Sequence, residues 1–200
     1  MKISYLIGRL KFRLTMDGFS KTMKDLIYFN REIILVEKDL ITWEPKEYDE
    51  TLEYIIVDRA NSKMIEQRFD LPLFDHYAQN NCNSVIAVKN NKCLGFIRWT
   101  EDNNFQDITK FGIDLNPDQA YMFDFFVFPE YRGSSVGKDI SHYAIQNLKN
   151  KGISKYFGYF FSDNFPALWW HRTICKTKEF KKIKTHKIIL IEYMDGKLLV

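Results

Sequence analysis

The stretch Tyr121–Lys138 constrains this chain most. Tyr121–Phe128 (YMFDFFVF) reads as a strand, and it is so nearly apolar that burial on both faces at the centre of a sheet is expected. Pro129 ends it, and Arg132-Gly133-Ser134-Ser135 follows as a loop of mostly small residues. Val136–Leu148 then sets Val136, Ile140, Ala144 and Leu148 in one i, i+4 row, the mark of an amphipathic helix. Lys149 and Lys151 in its last turn and Gly152 after it complete the helix signature. Small residues let backbone N–H groups come close to a phosphate, and a helix N-terminus adds its dipole. The segment therefore predicts an anion site, most simply for a pyrophosphate, with Arg132 and Lys138 supplying positive charge on either side.

The rest of the chain is read around that unit. Glu32–Val36 and Leu52–Val57 read as strands, Arg59–Phe69 as a helix that Pro72 stops or restarts, and Val85–Val88 with Cys93–Thr100 as a hairpin turning at Asn90-Asn91. Glu101–Asp118 is an acidic loop that could gather a cationic ligand, although a solvated loop is the plainer account. Tyr156–Phe161 is a strand, Pro166–Cys175 a helix, and Phe180–Ile183 and Ile188–Tyr193 closing strands. Strands and helices alternate, which predicts one α/β domain with a mixed sheet over residues 31–200, preceded by a helical extension over residues 1–30.

Within that extension, Ile3, Leu6, Ile7, Leu10 and Leu14 fall at helical spacing among Lys2, Arg9, Lys11 and Arg13. Such a helix either packs on the domain or lies on an anionic membrane surface through residues 1–14. Asp17–Ser20 is a turn, with a second short helix over Lys21–Asn30. No apolar run is long enough to span a bilayer, and nothing reads as a signal peptide. With 29 basic against 26 acidic side chains, the net charge of +3 is too balanced to point to nucleic acid. Cys82, Cys93 and Cys175 are odd in number, far apart and outside metal-binding spacings, so they read as reduced thiols of a cytoplasmic protein, with no metal.

Two phosphate-loop families fail on spacing. A P-loop needs four residues between its glycines and a hydroxyl after the lysine; here three separate Gly133 from Gly137, and Asp139 follows Lys138. The dinucleotide pattern G-x-G-x-x-G is absent. Val127-Phe-Pro129-Glu-Tyr131-Arg132-Gly133-Ser-Ser135-Val-Gly137 instead resembles the signature of the GNAT superfamily of acyl-CoA N-acyltransferases, a strand ending V-x-P-x-[YF]-R that runs into [QR]-x-x-G-x-[GA]. Ser135 stands where that family usually has glycine. A second segment is also similar: Asn164 takes the place of the family's asparagine after the next strand, Ala167 its small residue, and His171 the position seven further on. The family's Gly-Phe is replaced by Glu179-Phe180 after about four extra residues. Residues 1–40, with their basic helical start and the strand Arg31–Leu40, faintly resemble members from sugar and surface-polysaccharide pathways.

The resemblance implies a mostly antiparallel central sheet flanked by helices, with one splayed pair of parallel strands, Tyr121–Phe128 and Tyr156–Phe161. It implies acetyl-CoA as acyl donor, with pantetheine beside Phe126 and Val127, pyrophosphate on Arg132, Gly133, Ser134, Ser135, Val136, Gly137 and Lys138, and Asn164 nearby. Asp124, the lone charge in an apolar strand, is the candidate base, since a carboxylate among aromatics has a raised pKa; a partnered structural aspartate is the alternative. His171 is the candidate acid to the CoA sulfur, with packing beside Trp170 as its alternative. His171 and Cys175 share a helix face, a weak sign of thiol catalysis. The tryptophans could stack on a sugar ring, though core packing accounts for most of them. The implied activity is N-acetylation of a small-molecule amine, first an amino sugar or nucleotide-linked amino sugar. Amino-acid, polyamine and protein acetylation are the alternatives, as is a non-catalytic CoA-binding module. Family members are often dimers, so a homodimer is expected by analogy.

Overall fold

In the computed structural model, which describes residues 3–188, 191–194 and 197–199, seventeen segments follow one another. They are α1 (Ile3–Leu26), β1 (Ile27–Asp39), β2 (Glu53–Val57), α2 (Ser62–Phe69), α3 (Phe74–Gln79), β3 (Cys82–Lys89), β4 (Lys92–Thr100), α4 (Gln106–Phe111) and β5 (Gln119–Val127). A 3₁₀ turn (Pro129–Tyr131), α5 (Val136–Asn150), β6 (Lys155–Phe161), α6 (Phe165–Trp169), a π-helical turn (Trp170–Cys175), β7 (Lys178–Ile188), β8 (Ile191–Met194) and β9 (Lys197–Leu199) complete the chain. The class is α/β, mostly antiparallel with one parallel pair. Contacts divide the chain into two units, residues 1–9 with 39–156, and residues 10–38 with 157–200.

The first unit is built on an antiparallel meander in the order β2-β3-β4-β5. Asn90 and Asn91 make the expected two-residue hairpin turn, both with φ above +50°, a conformation that asparagine tolerates. The anticipated row on α5 is the core face: Val136, Ile140, Ala144 and Leu148 pack with Ile97, Trp99, Ala120 and Met122 of the strands. One strand residue has to be glycine for this packing. A Cβ on Gly95 would lie 2.6 Å from the carbonyl oxygen of Phe126, 3.1 Å from Cα of Val127 and 3.0 Å from Cδ1 of Ile140. The end of β5 therefore lies directly against β4, beneath α5.

Two expectations for this unit change, and a third, at Pro72, is sharpened. β5 is not buried throughout: residues 120–123 are buried, whereas Asp124 and Phe125 are exposed and Phe126 and Val127 half-buried. The acidic stretch 101–118 contains α4, whose Ile108 and Phe111 are buried. Pro72 both stops α2 and precedes α3, which carries Phe74 and Tyr77 into the core.

In the second unit β6, β1, β7, β8 and β9 lie side by side in that order, and β1–β7, β7–β8 and β8–β9 pair antiparallel. Ile34, Val36 and Phe160 form a small core on which Ala167 and Leu168 of α6 pack. The stretch 27–30, expected to be helical, begins β1 instead; the helical part of the N-terminal segment ends at Leu26. The expected turn at Asp17–Ser20 is the kink at Gly18, whose φ of 77° is left-handed and where two helices meet within Ile3–Leu26. The helix expected over Pro166–Cys175 is α6 continued by the π-helical turn. The expected strand Phe180–Ile183 falls within β7, whereas the expected Ile188–Tyr193 is divided between the end of β7 and the antiparallel β8; residues 189–190 lie outside the described residues.

Candidate functional site

The candidate site in the first unit is the open half of β5 with the loop and the helix α5 that come after it. Phe96 of β4 faces Phe126 and Arg98 faces Phe123, so Asp124 and Phe125 together oppose Ile97. That is a β-bulge, and Asp124 takes the left-handed conformation in it, with φ of 47°. Arg98 Nη1 donates to Asp124 Oδ2 at 3.3 Å; the arginine side chain is 4% exposed and the aspartate side chain 34%. The apolar enclosure expected around Asp124 is therefore absent, because the bulge turns this half of the strand out of the core. Its carboxylate is exposed and paired with a cation.

Beyond Val127 the backbone is held by its own hydrogen bonds. Phe128 N–H donates to the Leu94 carbonyl, and Tyr131 N–H to that of Phe128. Arg132 Nε donates to the Val127 carbonyl at 3.0 Å, with the guanidinium above the Phe126 ring. Ser134 Oγ donates to the Tyr131 carbonyl at 2.6 Å and accepts from Val136 N–H at 3.3 Å. Gly133 is left-handed at φ of 83°, with open space where a side chain would stand. Ser135, by contrast, has φ of −70° and ψ of −16°, an ordinary right-handed conformation that does not call for glycine. Val136 is buried and anchors the loop, whereas Arg132, Gly133, Ser134, Ser135 and Lys138 are exposed.

The sequence-predicted anion residues are thus contiguous in space: two exposed cations flank a small-residue loop at the start of a fifteen-residue helix. The first N–H groups of a helix have no carbonyl one turn behind them. The donor set fits a pyrophosphate, and the half-buried edge at Phe126 and Val127 fits the less polar arm that precedes it.

In the second unit, Asn164 caps α6, its Oδ1 accepting from Ala167 N–H at 3.4 Å. His171 lies in the π-helical turn, stacked on Phe160 with centroids 4.8 Å apart and planes 12° from parallel. Burial pushes its pKa down to about 4, against a smaller opposing effect of Glu179. Its Nδ1 is buried without a hydrogen-bond partner among the described residues, as befits a neutral ring. That environment favours the packing role over a charged acid. Burial drives the Cys82 and Cys93 thiols up to about 12. Trp99 is core, whereas Trp169 is exposed, and no His/Cys/Asp/Glu cluster among the described residues could hold a metal. Arg98, missed at the sequence level, is the lone charge in the apolar run Cys93–Thr100.

A strand opened by a bulge, running through a small-residue loop into a helix, is an arrangement suited to an anion at the helix start. The comparisons agree. A sequence profile of the acetyltransferase (GNAT) family matches residues 39–174, and the chain belongs to that family. No curated protein matches the sequence. Among solved structures, an acetyltransferase of the GNAT family from Novosphingobium aromaticivorans superposes with a TM-score of 0.53 at 9% identity, covering 78% of this chain and 63% of that one. A tandem GNAT protein from the clavulanic acid biosynthesis pathway gives 0.54 at 10% identity, covering 82% and 55%. An aminoglycoside acetyltransferase from an uncultured soil metagenomic sample, in complex with sisomicin, gives 0.50 at 17% identity, covering 68% and 95%. The chain thus spans less than two thirds of the first two structures, and at these identities the likeness is one of fold.

Proposed function

We propose that this chain is an acetyl-CoA-dependent N-acetyltransferase acting on a primary amine of a small molecule. The observation that carries the reading is the continuous unit from the bulge at Asp124 to the first turn of α5, within a chain of the GNAT family. Acetyl-CoA, when bound, supplies a thioester-activated acyl group. Arg132, Lys138 and the backbone from Gly133 to Lys138 would hold its pyrophosphate by charge and N–H donors, although the N–H groups of Ser134 and Val136 already donate to the Tyr131 carbonyl and to Ser134 Oγ. Phe126 and Val127 would flank the pantetheine arm. An amine attacks only when neutral, so a group at the site must take up its proton. Asp124 suits that task by place: an exposed carboxylate, held by Arg98, before the arm-binding edge.

Asn164 beside the cofactor and His171 as acid rest on the family resemblance alone. An amino sugar, free or nucleotide-linked, is the first acceptor to try, and the sisomicin complex of the metagenomic relative is a reason to include aminoglycosides. Amino acids, polyamines and a protein amine complete the panel. We place the protein in the cytoplasm and allow a homodimer. The N-terminal helix exposes Ile7, Leu10 and Leu14, which keeps a peripheral membrane contact in view; co-sedimentation with anionic liposomes, with and without the first fifteen residues, tests it.

The test is release of free CoA thiol from acetyl-CoA with each amine, alongside a thermal shift. Acetyl-CoA at about 100 times its dissociation constant should add roughly 2.7 kcal/mol of stability, a rise of about 5–10 °C. A shift and amine-dependent thiol release establish the enzyme. A shift without turnover across the panel favours the non-catalytic CoA-binding module, and the absence of both refutes acetyl-CoA as cosubstrate.

A further inference from the structure

From Leu94 to Thr100 every residue of β4 is buried, and Arg98 is the only charged one. Its guanidinium carbon lies 4.3 Å from the ring centroid of Phe74, 4.6 Å from Tyr77 and 4.4 Å from Phe96. Three rings thus enclose a cation, and Nε has no hydrogen-bond partner among the described residues. Rings attract a cation but do not replace the acceptors it loses on leaving water. The acidic group that balances it is Asp124, bonded through Nη1.

The two residues are not register partners. Arg98 stands opposite Phe123 and reaches one residue further, to the bulge itself. Asp124 there holds a φ of 47°, a conformation that persists only where the surroundings over-determine it. An immobile arginine bonded to its carboxylate provides that constraint.

We propose that Arg98 is a positioning residue: clamped by Phe74, Tyr77 and Phe96, it fixes the carboxylate of Asp124 and with it the bulge at the open half of β5. This rests on Asp124 having a role in acetyl transfer. Arg98 does not touch the substrate; it acts through Asp124.

The test is a double-substitution cycle on the full chain: Arg98→Met, Arg98→Lys, Asp124→Asn and Arg98→Met/Asp124→Asn. Thermal unfolding of each confirms folding, calorimetry gives acetyl-CoA affinity, and steady-state kinetics separates kcat from KM. Arg98→Met should lower kcat about 10–100-fold through misplacement of the carboxylate. Its acetyl-CoA affinity should fall less than its kcat, because the loop and α5 are untouched and only the edge at Phe126 and Val127 follows the bulge. Arg98→Lys keeps the charge without the planar fork and should recover part of the loss. In the Asp124→Asn background, Arg98→Met should cost nothing further in kcat. Losses that multiply, or an Arg98→Met or Arg98→Lys protein with kcat within about twofold of the unsubstituted chain, overturn the positioning role while leaving the enzyme reading intact. If Arg98→Met does not fold, Arg98→Lys alone and combined with Asp124→Asn provide the same cycle. An unsubstituted chain that turns over no amine overturns both readings at once.

Discussion

Gly95→Ala is the sharpest probe of how the fold builds the proposed cofactor edge. The new methyl would stand 2.6 Å from the Phe126 carbonyl oxygen and 3.1 Å from Cα of Val127, both backbone atoms, and 3.0 Å from Cδ1 of Ile140. The Ile140 side chain can move, but it is fully buried in the α5 core, and the two backbone contacts can be relieved only by moving β5 away from β4. Overpacking of a filled site costs about 1–3 kcal/mol, and alanine returns only ~0.4–1 kcal/mol through the unfolded chain. A net loss of about 1–2 kcal/mol lowers the melting temperature by roughly 2–8 °C in a chain of this size. The displaced segment carries Phe126 and Val127, and the carbonyl of Val127 accepts from Arg132. Acetyl-CoA affinity should therefore fall together with stability. Scanning calorimetry and titration calorimetry read the two effects separately. A variant that melts within about 1 °C of the parent and binds acetyl-CoA equally well would show that β5 does not need this close approach to β4.

Three other substitutions test the remaining assignments. His171 has a folded pKa of about 4 against an ordinary 6.5, so its neutral form stabilises the fold fully above pH 6.5, and that stability is lost progressively as pH falls to 4. Denaturant titrations should lose on the order of 3 kcal/mol over that window in the parent and distinctly less in His171→Phe; equal slopes would refute the buried neutral ring. Ser135→Gly should leave acetyl-CoA affinity within about twofold and lower stability by roughly 0.4–1 kcal/mol, because serine is already unstrained there; a tenfold gain in affinity would mean that the serine side chain obstructs the loop. Asn164→Ala removes the cap of α6 and should cost ~0.5–1 kcal/mol in thermal unfolding, the low end for a cap because the bond is long; unchanged stability would leave the asparagine with no structural task.

What was legible in the chain was local. The i, i+4 row from Val136 to Leu148 faces the core because helix period alone decides it, and the Asn90-Asn91 turn forms because both residues tolerate positive φ. The small-residue loop between a strand and a helix, from Pro129 to Lys138, could likewise be read from local residues. What failed depended on partners far along the chain. The 27–30 stretch continues β1 because β7 pairs with it, Ile27 with Ile188 across more than 150 residues, and no local period could reveal that. His171 is neutral because Phe160 covers it, eleven positions earlier on another element. The burial of β5 was misjudged for the same reason: composition makes YMFDFFVF uniformly apolar, but a bulge divides it, and the residue that holds the bulge lies on β4. Yet one signal for it was present. β4 and β5 are sequential strands, and each carries one charge in a run otherwise apolar or uncharged, Arg98 in CLGFIRWT and Asp124 in YMFDFFVF. Arg98 is buried and needs an acidic partner, and Asp124 at the exposed bulge supplies it. Arg98 stands opposite Phe123, so reaching Asp124 takes it to the extra residue of β5, the bulge from which the candidate site opens.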